Sequence, residues 1–194
     1  WMQNIEWIST LRIMANYGVA GLYPPAYAYQ RTIGLTSYLG NPAATFDQYG
    51  NDDLGPERKH SAEVGLNLSL WDHRISIGFS YYNSITRNAI FNVPLAPSVG
   101  EGSCLKNVGR IRNEGYEASL RVQLFHNKDW DIAMQGSLNT NHNKVISNGG
   151  APTFSIGGFS TSSIQAVVSE GESVGYLRGS RATLMADGTT KVEK

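Results

Sequence analysis

The sequence is poor in the features that mark most functional classes. It carries one cysteine, Cys104, in 194 residues, which excludes an internal disulfide framework and any cysteine-rich zinc site. Charge is scarce, at 16% against about 25% in an ordinary soluble domain. The 16 basic residues balance 16 acidic ones, so there is no basic excess of the kind nucleic-acid binding requires. No run approaches the ~18 apolar residues of a transmembrane helix. Membrane strands leave no such run, because they alternate, so this absence does not make the chain soluble. At Trp1 there is no charged-then-apolar leader, and Val192-Glu193-Lys194 closes on no evident element. The expectation is an internal fragment or a truncated frame.

Constellations for chemistry are equally sparse. His60, His73, His126 and His142 are scattered, with no pair at i, i+4, and read as solvated side chains rather than metal ligands. Asp47, Asp52 and Asp53 share a Gly/Asn-containing stretch but lack the spacing of a calcium loop. Cys104 has no base or orienting group near it in sequence and reads as an inert thiol. Gly149-Gly150 and Gly157-Gly158 lack the strand–loop–helix frame of a phosphate-binding loop. No paired carboxylates are placed for acid/base work. The sequence therefore names no catalytic, metal-binding or cofactor-binding residue and gives no sign of an enzyme.

What is abundant is glycine, at 21 residues, and aromatics, at 10% with ten tyrosines and four tryptophans. Their low-charge setting argues against disorder. The dominant pattern is period-two alternation, the signature of strands with two unlike faces. Ala62, Val64, Leu66, Leu68 and Leu70 oppose Ser61, Glu63, Gly65, Asn67 and Ser69. Ile75, Ile77, Phe79 and Tyr81 oppose Ser76, Gly78, Ser80 and Tyr82. Tyr116, Ala118, Leu120, Val122 and Leu124 oppose Glu117, Ser119, Arg121 and Gln123. Trp130, Ile132, Met134, Gly136 and Leu138 oppose Asp131, Ala133, Gln135 and Ser137. A weaker run sets Leu11, Ile13, Ala15 and Tyr17 against Arg12, Met14, Asn16 and Gly18. The four clear apolar faces carry no charge, while Glu63, Glu117, Arg121 and Asp131 all fall opposite. A membrane strand must sort charge this way, and so does a half-buried soluble sheet.

The connections separate these two cases. Trp71-Asp72-His73-Arg74 and Phe125-His126-Asn127-Lys128-Asp129 are short, polar hairpin turns. Between them lie long stretches: Gly18 to His60, Asn83 to Gly109 with Pro94, Pro97, Gly100 and Gly102, and Ser147 to Ser163. Short turns alternating with long loops are the plan of an outer-membrane barrel. The alternating runs are about ten residues, near the 9–11 that cross a bilayer at a tilt. Trp71, Phe125 and Trp130 gather at the short-turn ends and Tyr81 and Tyr82 near the opposite end, as interfacial girdles do. The expected fold is all-β: an antiparallel transmembrane β-barrel segment with long extracellular loops.

Particular residues then match a family. Leu54-Gly55-Pro56-Glu57, followed by Glu63-Val64-Gly65-Leu66, resembles the Leu-x-Pro-Glu…Glu-x-Gly segment of TonB-dependent outer-membrane transporters, and Ser80-Tyr81-Tyr82-Asn83 resembles the strand end that follows. Residues Asn107 to Glu117 are similar to the Asn-x-Gly-x-x-x-Asn-x-Gly-x-Glu signature of the SusC/RagA branch. Asn141 to Val145 and Glu170 to Tyr176 resemble that branch's next hairpin and its glycine-bearing return strand, and Trp7 to Gly21 its Trp-Leu-x-x-Leu-Lys strand. Two departures stand out: Gly55 occupies a usual Lys place, and Arg12 another. The resemblance spans most of residues 1–194. It implies a barrel of about 22 strands, of which this chain supplies roughly six to eight, with the N-terminal plug, the TonB-contacting box and the closing strands absent. It also implies import of large nutrients, oligosaccharides or peptides, across a Bacteroidetes-type cell outer membrane, with energy from TonB and a SusD-like surface lipoprotein as lid.

Within the signature, Gly109 and Gly115 are expected to permit positive φ or a bulge where a strand begins. Asn107 and Asn113 are expected to bond their own backbone at that bend. The signature thus reads as structural. Tyr23, Tyr27, Tyr29, Tyr38 and Tyr49 crowd the first long loop, either as a ligand- or lid-contacting surface or as a loop packed on itself. The substrate-binding residues are unknown at this level. A secreted, soluble β-sandwich that binds carbohydrate is the alternative, and it would need about seven shorter strands with turns every 8–12 residues.

Overall fold

A computed structural model describes residues 5–100, 102–158, 164–184 and 190–193. Part of the Ser147–Ser163 stretch and both chain ends, Trp1 and Lys194, lie outside them. The described residues form strands and one short 3-10 turn, Pro97–Val99. In chain order the strands are β1 Ile8–Leu22, β2 Thr32–Tyr38, β3 Asn41–Tyr49, β4 Glu57–Leu70, β5 Ile75–Pro94, β6 Ser103–His126 and β7 Asp131–Asn139. After them come β8 His142–Ser147, β9 Phe154–Gly158, β10 Ile164–Val168, β11 Tyr176–Gly179, β12 Arg181–Leu184 and β13 Thr190–Glu193. Eight strands share one open sheet in the order β1-β4-β5-β6-β3-β2, with β7 and β8 also on β6. The barrel-segment architecture read from the sequence is the one observed, and the sheet is not closed within this chain.

The chain divides into two compact units. The first comprises Trp1–Ala20, Lys59–Ile85 and Arg112–His142. Here side-chain contacts test the sorting of faces directly. On the polar face the Ser69 and Ser76 hydroxyls lie 3.4 Å apart. A Cβ built on Gly78 would meet Asn67 Oδ1 at 3.2 Å and Ser119 Oγ at 2.5 Å. On the apolar face Tyr116 stacks against Phe79 at 6.0 Å and lies 5.1 Å from Tyr81, centroid to centroid. The β6–β7 register sets Ala118 opposite Leu138 and Val122 opposite Met134, with Ser119 opposite Ser137 and Arg121 opposite Gln135. A bulge between Gln123 and Phe125 interrupts the ladder near the turn. Among the first unit's described residues nothing covers this face: Ile13, Val64, Leu120, Ile132, Met134 and Leu138 are all exposed. A sandwich requires a facing sheet about 10 Å away, and the unit has none among its described residues.

The turn at Trp71–Arg74 is tighter than its sequence suggests. Trp71, Asp72 and His73 all hold positive φ (48°, 52° and 64°), a conformation non-glycine residues rarely adopt. Backbone bonds hold it in place: Trp71 N–H donates to Trp7 O at 3.0 Å, Arg74 N–H to Trp71 O at 3.1 Å, and Gln123 N–H to Arg74 O at 2.8 Å.

The second unit comprises Gly21–Arg58, Thr86–Ile111 and Asn143–Lys194. It contains a small hydrophobic core of Val93, Val145, Phe154 and Val168, with Phe91, Val108, Ala151 and Val174 against it. Phe91 meets Phe154 edge-on at 5.6 Å. Asn148, itself buried, donates from Nδ2 to Ala151 O at 2.5 Å. That bond supplies the partner a buried amide requires.

Three expected loops are shorter than the sequence suggested. Between Asn83 and Gly109, strand β5 continues to Pro94 and β6 starts at Ser103, so only residues 95–102 connect them. The Gly18–His60 stretch holds the β2–β3 hairpin, closed by Leu39 and Gly40 at φ 51° and 82°, the two positive-φ residues of a type I′ turn. The Ser147–Ser163 stretch holds β9. Alternation reports a face that meets something apolar, whereas the backbone ladder persists without one, so strands outrun their hydrophobic pattern. For the same reason β4, β5 and β6 reach 14, 20 and 24 residues rather than about ten. A further correction concerns Glu170 to Tyr176. This is a turn segment ending at the first residue of β11, not a return strand. It bonds back to β8 through Val145 N–H to Glu172 O at 2.8 Å and Gly171 N–H to Val145 O at 2.9 Å.

Candidate functional site

In the second unit, Asn107 at the start of the matched signature and the Leu54–Glu57 segment meet in a structural joint. Asn107, half-buried on β6, accepts the Gly55 N–H at Oδ1 (2.8 Å) and donates from Nδ2 to Gly55 O (2.8 Å) and to Asn88 O (2.9 Å). Glu57 Oε2 accepts the Ile90 N–H at 3.2 Å. The Leu54–Glu57 segment and the signature are therefore bolted together around Asn88, which holds φ 56°. Asn107 acts by a different route from the one expected. Asn107 bonds a distant segment, not its own backbone.

The glycines also act differently from expectation. Neither Gly109 nor Gly115 has a positive φ, and both lie inside β6. Each is required by close approach. A Cβ on Gly109 would meet the Phe91 ring at 2.6 Å and Ala89 Cβ at 2.7 Å. On Gly115 it would collide with the Thr140 carbonyl oxygen and meet Tyr82 Oη at 2.6 Å.

In the first unit Tyr81, Glu114, Gly115, Tyr116, Thr140, Asn141 and His142 line a cleft of about 230 Å³. Its one carboxylate is held rigidly: Glu114 Oε2 accepts from Asn83 Nδ2 at 3.1 Å and from Tyr81 Oη at 3.4 Å. Tyr82 Oη donates to Asn141 Oδ1 at 3.1 Å. These bonds tie Glu114 to Tyr81 and Asn83, and Tyr82 to Asn141.

Three of the five first-loop tyrosines are displayed, while Tyr49 packs within the segment. Tyr23, Tyr27 and Tyr38 are 78%, 72% and 71% exposed, and Leu35 and Leu39 beside them more so. Beneath them the segment is braced. The Arg31 guanidinium lies over the Phe46 and Tyr49 rings at 4.7 and 5.3 Å, and Gln48 Nε2 donates to Ala28 O at 2.8 Å. The result is a braced segment carrying apolar and phenolic groups outward.

The remaining candidates stay apart. His60 shares a hydrogen bond with Tyr17 Oη at 2.9 Å, His73 sits in the turn, and exposed His126 lies 3.7 Å from Asp131. Gln123 Nε2 also bonds Asp131 Oδ1. Asp53 N–H donates to Asn51 Oδ1 at 3.2 Å, a local turn bond; the Asp47 side chain is outside the described residues. Among the described residues no three His, Cys, Asp or Glu groups are placed to hold a metal ion. Cys104 is 2% exposed and borders a recess of about 300 Å³ with Tyr49, Leu95, Val99 and Lys106.

Known proteins resemble this arrangement. TonB-dependent receptor P39 of Formosa agariphila is 25% identical over 189 residues, covering 92% of this chain and 17% of its own length. TonB-dependent receptor P3 of the same organism is 26% identical over 151 residues, covering 75% and 15%. The RagAB peptide transporter structure superposes over 100% of this chain and 23% of its own, with TM-score 0.73 at 20% identity. The RagAB peptide importer in its closed-closed state does so with TM-score 0.73 at 21% identity, so these two structures share the fold. The chain thus spans less than a fifth of the curated relatives' length. The TonB dependent receptor-like β-barrel family matches residues 4–187, and to that family this chain belongs.

Proposed function

We propose that this chain is a wall segment of a TonB-dependent transporter in the outer membrane of a Bacteroidetes-type bacterium, one that imports large nutrients, oligosaccharides or peptides. In this reading residues 1–194 are part of the barrel, and other residues supply the plug, the TonB-contacting box and the closing strands. TonB delivers energy, a SusD-like surface lipoprotein serves as lid, and the segment has no enzymatic role.

The observation that carries the reading is the uncovered apolar face of the first unit. A contiguous exposed stripe of this kind belongs against an apolar phase. Lipid is the phase that suits a single-layer sheet whose opposite face holds Glu63, Glu117, Arg121 and Asp131. Val64, Leu66, Leu120, Val122 and Ile132 then face lipid, and the charged set faces the plug and lumen.

The test places lysine on each face of the full-length protein. A lysine facing the bilayer midplane costs roughly 2–4 kcal/mol, so Leu66→Lys and Leu120→Lys should lower the folded, heat-modifiable barrel recovered from outer membranes. Ser119→Lys should not. Equal recovery of all three would remove the face assignment.

A further inference from the structure

The apolar face of the first unit ends along one line. On β6 it runs back from Leu124 through Val122, Leu120 and Ala118 to Tyr116, and the next residue counted by twos is Glu114. On β7 it runs Ile132, Met134, Gly136, Leu138 and then Thr140; on β5 it runs Ile75, Ile77, Phe79, Tyr81 and then Asn83. These three ends are neighbours in space. Ala118 pairs with Leu138, Thr140 N–H donates to Tyr116 O at 2.8 Å, and the Tyr116 ring lies 5.1 Å from that of Tyr81. Apolar side chains thus give way to polar ones at one level on three strands, beside a pair of tyrosines. A barrel wall leaves hydrocarbon for the headgroup layer in this way.

The first unit's cleft of about 230 Å³ opens at this line. Glu114 is half-buried in it, and its hydrogen bonds come from neutral donors, Tyr81 Oη and Asn83 Nδ2. None of the described residues supplies it with a cation, and no lysine or arginine lines the cleft. A carboxylate withdrawn from water without a positive partner is unfavourable. Beside it Tyr116 is 53% exposed. A carboxylate next to an open aromatic ring suits an ammonium group, through charge-assisted hydrogen bonds and attraction to the ring face. The same pair repels a phosphate.

Position along the strand selects the source of the ammonium. Tyr116 lies ten residues from His126, the short-turn end of β6, and about ten residues carry a tilted strand across the hydrocarbon. Glu114 is two residues further on, at headgroup level, and continues the face that carries Leu120 and Val122. A lipid headgroup reaches that place directly, whereas cargo passes on the other side of the wall. We infer that Glu114 and Tyr116 form a binding site for the ammonium of an amine-bearing phospholipid headgroup. The inference rests on the membrane-face assignment proposed above.

The experiment uses the full-length transporter extracted from outer membranes in mild detergent, as wild type and as Glu114→Gln, Tyr116→Leu and Glu117→Gln. Each is titrated with dioleoyl phosphatidylethanolamine and with dioleoyl phosphatidylglycerol, which has the same chains and no amine, and bound lipid is counted by native mass spectrometry. Glu114→Gln keeps an acceptor for Tyr81 and Asn83 but loses the charge, so it should bind the ethanolamine lipid roughly tenfold more weakly or worse. Tyr116→Leu keeps an apolar side chain and should lose about threefold or more. Glu117→Gln, on the opposite face, should bind like wild type, and the glycerol lipid should bind all four proteins equally. Unchanged affinity in Glu114→Gln would overturn the site. So would an equal loss in Glu117→Gln, which would mark a general effect of charge, or displacement by a soluble lysine tripeptide at equal concentration, which would mark a cargo site. Heat-modifiable migration is read on the same samples, and if Glu114→Gln does not assemble, unchanged affinity in Tyr116→Leu overturns the site instead. Barrels that assemble and ignore the amine leave the transporter reading standing without this site, whereas equal recovery of Leu120→Lys and Ser119→Lys removes the lipid face and the site with it.

Discussion

The side-chain amide of Asn107 pairs with both backbone groups of Gly55, accepting its N–H and donating to its carbonyl at 2.8 Å each. An asparagine thus stands in for one residue of a neighbouring strand. Only the backbone of residue 55 is read, and a Cβ there would meet nothing within 4 Å. The position therefore tolerates glycine without loss of the pairing.

Asn107→Ala should therefore be costly and Gly55→Lys neutral. Removing the amide strands the Gly55 N–H, its carbonyl and the Asn88 carbonyl in a half-buried setting, at about 1–3 kcal/mol for each group left unpaired. The full-length barrel should lose at least ~2 kcal/mol in denaturant unfolding, with faster amide exchange at residues 55 and 90. Equal exchange in Asn107→Ala and wild type would show that the joint does not hold these segments.

The glycines of β6 and β7 make a graded series. Gly115→Ala drives a methyl into the Thr140 carbonyl and the Tyr82 hydroxyl, and Gly109→Ala into Ala89 and Phe91. Each should destabilise by about 1–3 kcal/mol, the range for overpacking. Gly136→Ala meets open space and should be neutral or slightly stabilising, because glycine weakens a strand interior. A ranking with Gly136→Ala the worst of the three would show that backbone freedom, and not close approach, selects glycine here.

These positions mark where sequence reasoning stops. The faces of β4 to β7 were legible because burial against an apolar phase writes itself as alternation, and the contacts of Gly78 with Ser119 and Phe79 with Tyr116 follow it. The core of Val93, Val145, Phe154 and Val168 was not legible, since four residues from four strands meet without periodicity in any one of them. The Leu39–Gly40 turn was missed because it lacks the Asn-Gly or Asp-Gly pair that usually signals a type I′ hairpin. The joint at Asn107 was half legible. Asn107 was expected to bond backbone, but the partner 52 positions away left no local trace.

Cys104 offers a probe of the second unit. Thiol reactivity needs an accessible thiolate, and this side chain is 2% exposed. In the assembled full-length protein, maleimide should label it at least ~100-fold more slowly than in urea-unfolded protein, because labelling waits on local opening. Labelling at the unfolded rate would show that the unit is open under native conditions. Val93→Ala removes two methyl groups from the core cluster of the same unit and should accelerate labelling by lowering the cost of that opening.

Under the proposed function, the exposed first-loop segment supplies a test of contact with cargo or lid. Tyr27 and Tyr38 project into solvent while Arg31, Phe46 and Tyr49 brace the segment beneath them, so truncating the tyrosines should leave the hairpin intact. An aromatic that stacks on a sugar ring or a peptide side chain contributes about 0.5–1.5 kcal/mol beyond its area. Tyr27→Ala and Tyr38→Ala together should therefore weaken half-saturation of uptake about 5- to 100-fold, with barrel yield and maximal rate held. Arg31→Ala differs in kind. It removes the brace, so it should raise proteolytic cleavage between residues 22 and 50 as well as weaken uptake. Uptake unchanged by the double tyrosine variant, with the hairpin protected from protease, would assign these side chains no part in recognition.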